Sequence, residues 1–378
     1  MGATTLGSIK EFWMENQRGL PENLRIIWAI AAKDIGDAIR NKTTISIIIG
    51  VALLMLSGQA MPLLLKLQTV PRAYYYDAGE SSLIPDLAKN KDYQLVKMPS
   101  RDELENIVAE SSGAILGLVI PPDFDQKVEG GESVKLEGLV VHWVKSKDVE
   151  EVVSFFEQEF SGRLGASLEI GVQGNAVYPG PDTDGQPYMF ILSLVVATIT
   201  IGSFLVPLLM VEEREKHTME ALMVSPASYS QVVLGKTIAG LFYCITAAAV
   251  VLVINFSMIN QWGIAVLAVL GGALFTVAIG LLVGTLFDHQ GVMNMWLGLI
   301  LILLIMPVFL EQTMGERLPE AIVAIVPWLP SVAMAKLVRI SLANSLVLDQ
   351  VALNLGIMLG FTALMLGAVV WKIRGMDR

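Results

Sequence analysis

The chain has 378 residues, of which 54% are hydrophobic and only 16% charged, and its mean hydropathy is +0.60. These values lie outside the range of soluble globular proteins and identify an integral membrane protein. The formal charge of −10 speaks against nucleic acid as a partner, and its source is one segment, Gln68 to Pro187, with 21 acidic and 10 basic side chains.

Residues 1–43 are expected to form a cytoplasmic N-terminus. Glu11, Glu15, Arg18 and Glu22 interrupt any apolar core of the signal-peptide kind, so the first span is expected to be retained. From Pro21 to Lys42 the pattern predicts an amphipathic helix. Leu24, Ile27, Trp28, Ala31, Ile35, Ala38 and Ile39 line one side, and Arg25, Lys33, Asp37 and Arg40 the other. Such a helix lies in the membrane interface or packs beneath the spans, and the two are compatible.

A helix needs roughly 20 apolar residues to cross a bilayer. Six runs reach or approach that length: 44–65, 188–210, 237–258, 264–287, 293–310 and 351–371. The fifth is the shortest and contains Pro307. Lysine and arginine cluster in the N-terminal segment, in the loop with Arg214, Lys216 and Lys236, and in the tail with Lys372, Arg374 and Arg378. With six spans all three fall on one side, which the positive-inside rule makes the cytoplasm. Both termini are then cytoplasmic.

The 68–187 segment is therefore expected outside. Strand-like runs at 73–76, 94–96, 114–120 and 136–144 alternate with helical patterns at 81–88, 101–110 and 148–170. The expected fold class is a membrane α-helical protein: six transmembrane helices with an α/β extracytoplasmic domain inserted between the first and second. Residues 188–378 form the remaining transmembrane domain, with a cytoplasmic loop at 212–228 and a re-entrant outer segment at 311–350, broken by Pro327 and Pro330.

Motifs for chemistry on this chain are weak. The stretch 230–237 ends like a phosphate-binding loop, but Ser230 replaces its first Gly and an apolar helix follows. Asp182, Asp184 and Gly185 imitate a calcium loop whose first and twelfth positions are Gly180 and Ile191. His142, His217 and His289 fall in separate segments, and the single Cys244 sits in an apolar run. No metal site, cofactor or catalytic residue is expected on this chain.

The informative stretch is Glu212 to Ser228, between two apolar runs. On a helix Glu213, Lys216, His217 and Glu220 share one face, and Met219, Leu222 and Met223 another. Glu213, Arg214, Glu215 and Lys216, then Thr218, Glu220, Leu222, Ser225, Pro226 and Leu234-Gly235-Lys236, resemble the membrane subunits of type-2 ABC exporters. The re-entrant stretch 329–339 is similar to that family's as well. A solvated loop that only fixes topology is the plain alternative.

The resemblance covers nearly the whole chain and points to the branch with a large outer domain, which includes drug-export and sodium-extrusion permeases. It implies a permease in the cytoplasmic (inner) membrane of a prokaryote, paired with an identical or related second permease subunit. Two separate ATPase subunits would bind ATP and Mg, and Glu213 to Pro226, Met219 and Met223 included, would contact them. An envelope partner for the outer domain is a further expectation. A membrane-anchored sensor or assembly scaffold is the alternative function.

Two further sets of residues are singled out. Ser57, Gln59, Thr198, Thr200, Ser203 and Asn294 are the polar side chains in the spans that would meet a substrate, although each also suits helix packing. Gly272, Thr276, Gly280 and Gly284 recur every fourth residue, and Gly356 and Gly360 repeat the spacing. Small residues so spaced let helices approach closely, within the subunit or across a dimer seam.

Overall fold

The computed structural model describes residues 21–40, 45–46, 49–50, 53, 70–90, 92–109, 115–172, 174–178, 188–215, 228–314 and 319–376. Helix α1 spans Glu22–Arg40. Its Ile27, Ile30 and Ala31 are buried at helical spacing, whereas Leu24 is exposed. Of the expected first span, the described residues Ile45, Ser46, Ile49, Gly50 and Leu53 are helical and exposed, and the rest lies outside the described residues.

A mixed sheet with helices follows. Its elements are β1 (Arg72–Asp77), α2 (Ile84–Leu87), β2 (Gln94–Lys97), α3 (Arg101–Ala109), β3 (Leu116–Ile120), α4 (Phe124–Glu129), β4 (Val134–Val141), α5 (Ser146–Leu164), β5 (Leu168–Gly171) and β6 (Ala176–Val177). The strand order is β2-β1-β3-β4-β5, with β6 also pairing β4. β3 and β4 are antiparallel and the other pairs parallel. One apolar cluster holds Tyr93, Phe156 and Phe160 with Ala73, Tyr75 and Leu118; a second holds Leu104, Val108, Leu139, Val141 and Trp143.

Two differences from the expected elements have local causes. The helix expected over 148–170 stops at Leu164, because Gly165 adopts a left-handed φ of +65°, which ends a helix without a Cβ penalty. The chain then re-enters the sheet as β5, with Leu168 and Ile170 buried in the first cluster. The short helix α4 and strands β5 and β6 were not expected: each is too short to show a period.

The apolar bundle comprises α6 (Tyr188–Glu215), α7 (Tyr229–Ile254), a 3-10 turn (Phe256–Met258), α8 (Trp262–Leu286), α9 (Gln290–Met314), α10 (Glu320–Ile325), α11 (Pro330–Leu342) and α12 (Leu348–Met376). Five of these, α6 to α9 and α12, are long and apolar enough to cross a membrane. The segments 322–328 and 330–342 meet at a 74° bend, which makes them a broken span or a re-entrant loop. Helices α6 and α8 are 72% buried over their most apolar windows, against 22% for α9 and α12, so the first two form the centre of the bundle.

The helices extend beyond the expected spans. α6 runs through Glu215, so residues 212–215 continue a long helix instead of opening the loop. α7 starts at Tyr229 instead of 237, because Ser228 and Gln231 form a capping box: the Ser228 hydroxyl accepts the Gln231 N–H at 3.4 Å and the Gln231 side chain accepts the Ser228 N–H at 2.8 Å. α9 runs from Gln290 to Met314 with Pro307 inside it, so it is no shorter than α8 and carries Glu311. α12 begins at Leu348 and takes the last residues of the expected re-entrant segment.

The sheet domain sits on the α7–α8 end of the bundle. His142 Nε2 lies 3.2 Å from the Met258 carbonyl oxygen, and Met258 packs against the Leu104–Trp143 cluster.

Candidate functional site

The expected coupling residues divide at Glu215. Lys216, Thr218, Met219, Glu220, Leu222, Met223, Ser225 and Pro226 lie outside the described residues. Glu213, Arg214 and Glu215 form the last turn of α6, at the end of the bundle opposite the sheet domain, and all three side chains are engaged.

Glu213 joins three helices. Lys33 Nζ of α1 is 2.8 Å from its Oε1, and Lys236 Nζ of α7 is 2.7 Å from its Oε2. Lys236 also reaches Asp34 Oδ2 of α1 at 3.1 Å and donates to the Leu209 carbonyl at 3.4 Å. The Lys236 side chain is fully buried and Asp34 is 3% exposed. Burial of ions this deep is tolerable because two ammonium and two carboxylate groups neutralise one another.

Burial pushes the Asp34 carboxyl above its ordinary 3.8, and Lys236 only partly opposes the shift. Burial works against the Lys33 charge too, but the hydrogen bond and charge of Glu213 outweigh it and hold that ammonium above 10.5. Packing supports the contact. A Cβ on Gly235 would stand 2.8 Å from Ile30 Cβ, so α1 rests directly on α7 there, and Tyr243 donates its hydroxyl hydrogen bond to the Ile35 carbonyl.

Arg214 and Glu215 reach the turn between α8 and α9. Arg214 Nη1 donates to Asp288 Oδ1 at 2.9 Å and to the Phe287 carbonyl at 3.3 Å. Glu215 Oε1 accepts the Gln290 N–H at 2.7 Å, placing an anion on the first turn of α9, where the helix dipole favours it. The end of α6 is thus tied to α1, α7, α8 and α9 within one helical turn.

The polar residues expected along a path are not gathered into one lining. Ser57 and Gln59 lie outside the described residues. Thr198 and Ser203 are fully buried on α6, the former donating to the Leu194 carbonyl at 2.8 Å. Thr200 is half-buried and Asn294 is exposed on α9.

The small residues of α8 face other helices of the same chain. A Cβ on Gly280 would stand 2.5 Å from the Gly202 carbonyl oxygen of α6, one on Gly284 2.7 Å from Met210 Sδ, and one on Gly272 would overlap Met334 of α11. Thr276 lies against Gly202 and bonds back to the Gly272 carbonyl at 2.9 Å. Gly356 and Gly360 meet nothing within 4 Å.

Among the described residues no three His, Cys, Asp or Glu side chains are grouped to hold a metal ion. The calcium-loop imitation at Gly180, Asp182, Asp184 and Gly185 lies outside them.

Sequence reading missed Asp34 and the burial of Lys236. The expectation that Lys236 merely flanks a span is corrected by the earlier start of α7, which places it two turns inside the helix. A signal existed: Asp34 follows Ile27, Ile30 and Ala31 on one helical stripe, and an acid on an apolar stripe needs a buried cation.

The family model described as ABC-2 family transporter protein matches residues 42–371. The chain is also similar to the probable multidrug ABC transporter permease YbhR of Escherichia coli strain K12, 24% identical over 241 residues. A protein of the same name from Escherichia coli O157:H7 matches to the same extent. The match covers 61% of this chain, and the chain spans 64% of the length of these curated relatives. With most of its length inside the family model, and with apolar helices in the number a multi-pass protein requires, this chain belongs to the ABC-2 family of transporter proteins, as an ABC transporter permease of the membrane.

Proposed function

We propose that the chain is the membrane-spanning subunit of an ABC exporter that moves cargo by ATP hydrolysis on two separately encoded ATPase subunits. Two permease subunits form the pore, with six spans each, both termini in the cytoplasm of a prokaryote and the sheet domain outside. The observation that carries this reading is the anchoring of the α6 end: Glu213, Arg214 and Glu215 are bonded to α1, to α7 and to the α8–α9 turn.

A push delivered to the loop after Glu215 reaches all these helices at once. An isolated loop would dissipate it. Closure of the ATPases around ATP therefore tilts α6 and α7 together with α1, and the α6–α8 contact at Gly202 and Gly280 carries the tilt into the centre of the bundle. Five apolar helices after the sheet domain exceed what a sensor needs as an anchor. Similarity to YbhR, a probable multidrug permease, makes drug-like amphipathic molecules the first cargo class to screen.

The test is co-expression with the ATPase encoded beside the gene, comparing the native chain with Leu222→Asp. Loss of copurification and of ATP turnover in the variant is expected. A variant complex that copurifies and hydrolyses ATP at the native rate overturns the assignment.

A further inference from the structure

Helix α11 begins inside the bundle and runs out to its sheet-domain end. Its last turn is held at that end: the Asn260 and Gln261 N–H groups donate to the Ser341 carbonyl at 3.0 and 2.8 Å, and Gln261 Nε2 donates to the Ala343 carbonyl at 2.9 Å. Met334, earlier in α11, lies against Gly272 near the middle of α8. Ser331 is ten residues before Ser341, so it lies about 15 Å beneath that end, close to half the ~30 Å hydrocarbon thickness. The helix is packed by α6, α8, α9 and α12, and of its thirteen residues every one but Lys336 is buried.

Its first turn is not capped. Leu329 at the N-cap offers no side-chain acceptor, Pro330 has no N–H, and the first N–H with a backbone acceptor is that of Ala333, bonded to the Leu329 carbonyl at 2.9 Å. The N–H groups of Ser331 and Val332 have no acceptor within the helix. Ser331 is 2% exposed, and its hydroxyl is buried with no hydrogen-bond partner. Three donors at one helix start, with the positive end of the helix dipole behind them, are costly to leave unmet in an apolar medium. The sequence of α11 contains no acid to meet them, and Arg339 lies two turns further on, paired with Glu311 at 3.2 Å.

We infer that the start of α11, with the Ser331 hydroxyl and the Ser331 and Val332 N–H groups, is a mid-membrane subsite for an anionic oxygen of the transported cargo, a carboxylate or a phosphate. Half-helix starts inside the bilayer suit this task because they supply positive potential without a buried cation that would need its own counterion. The inference rests on the transport reading above and assigns it a chemical class of cargo. The residue acts by binding and has no part in catalysis.

The test uses the full permease–ATPase complex in nanodiscs with Cys244→Ala and Ser331→Cys. Thiol modification is followed with a sulfonatoethyl methanethiosulfonate, which is anionic, and its trimethylammonium counterpart, which is cationic, in nucleotide-free and ATP-trapped states. A second complex carries Ser345→Cys at the exposed surface as the accessible control.

In at least one nucleotide state the anionic reagent should modify residue 331 at least tenfold faster than the cationic one, relative to residue 345. Octanoate or dihexanoyl phosphatidate, but not octanol, should slow that reaction at least threefold. Which of the two does so assigns carboxylate or phosphate. Equal rates, a faster cationic reagent, no modification in either state, or equal protection by octanol overturns the inference.

Copurification of the ATPase with the Ser331→Cys chain shows that the permease assembles with its ATPase, so an unreactive thiol then counts against the subsite alone. If no complex forms even with the native chain, it is the transport reading that fails. Val332→Cys, at the next free N–H, carries the same expectations should Ser331→Cys not assemble.

Discussion

Lys236 and Glu213, 2.7 Å apart in the bundle, join the start of α7 to the end of α6, the two helix ends that flank residues 216–227 in the chain. Asp34 makes the pair a three-helix junction by holding the same ammonium at 3.1 Å.

Removing the cation should be far worse than removing one anion. Lys236→Met leaves Asp34 and Glu213 buried together with only the half-exposed Lys33 between them, and a loss of about 3–5 kcal/mol is expected. Asp34→Asn should cost roughly 1–2 kcal/mol, since Lys236 keeps Glu213. The sign of the pH effect follows from the raised Asp34 value. The folded state resists ionising this carboxyl, so native stability falls as pH rises from 3.8 through the raised value, and Asp34→Asn should lack that decline. Thermal unfolding of the purified subunit at several pH values measures both.

The two glycine sets should respond differently to the same substitution. Gly280→Ala puts a methyl 2.5 Å from the Gly202 carbonyl oxygen and must part α6 from α8, at about 1–3 kcal/mol. Gly356→Ala and Gly360→Ala meet open space and should stay within about 0.5 kcal/mol of the native chain or gain slightly from helix propensity. Parallel melts of the three variants decide the point.

Acid should loosen the seat of the sheet domain. The His142 ring is stacked on Tyr178 at 4.4 Å and bonded to the Met258 carbonyl, and burial holds its imidazole below the ordinary 6.5. The unfolded chain takes up a proton before the folded one does, so the stability present above 6.5 declines as pH falls through the lowered folded value. Hydrogen exchange at residues 256–258 should quicken between pH 7 and 5 in the native chain. His142→Gln should flatten this response.

Arg214 contributes to alignment more than to stability. Asp288 is 77% exposed, so Asp288→Asn should cost no more than about 1 kcal/mol. In the ATPase complex the same variant should lower cargo-stimulated ATP turnover by more than its melting shift accounts for. Measuring turnover and melting on one preparation separates the two effects.

Periodicity and composition were enough for part of this architecture. Apolar runs near the length of a bilayer revealed the long helices, because hydrocarbon demands uninterrupted apolar sequence, and the alternation from Arg72 to Val141 revealed strands and helices. The charged stretch after the second run carried the family resemblance. Helix ends were less legible: the capping of α7 by Ser228 and Gln231 and the continuation of α6 to Glu215 depend on polar side chains that hydropathy reads as loop.

What only the tertiary structure decided is where charge is buried and which donors are left unmet. Lys236 and Asp34 are 202 residues apart in the chain, and neither shows in its own window that the other will neutralise it. Ser331 reads as an ordinary polar residue after a proline until α11 is seen to begin within the bundle. The physical reason is common to both: desolvation is a property of the packed environment, and the local sequence encodes only which groups will suffer it.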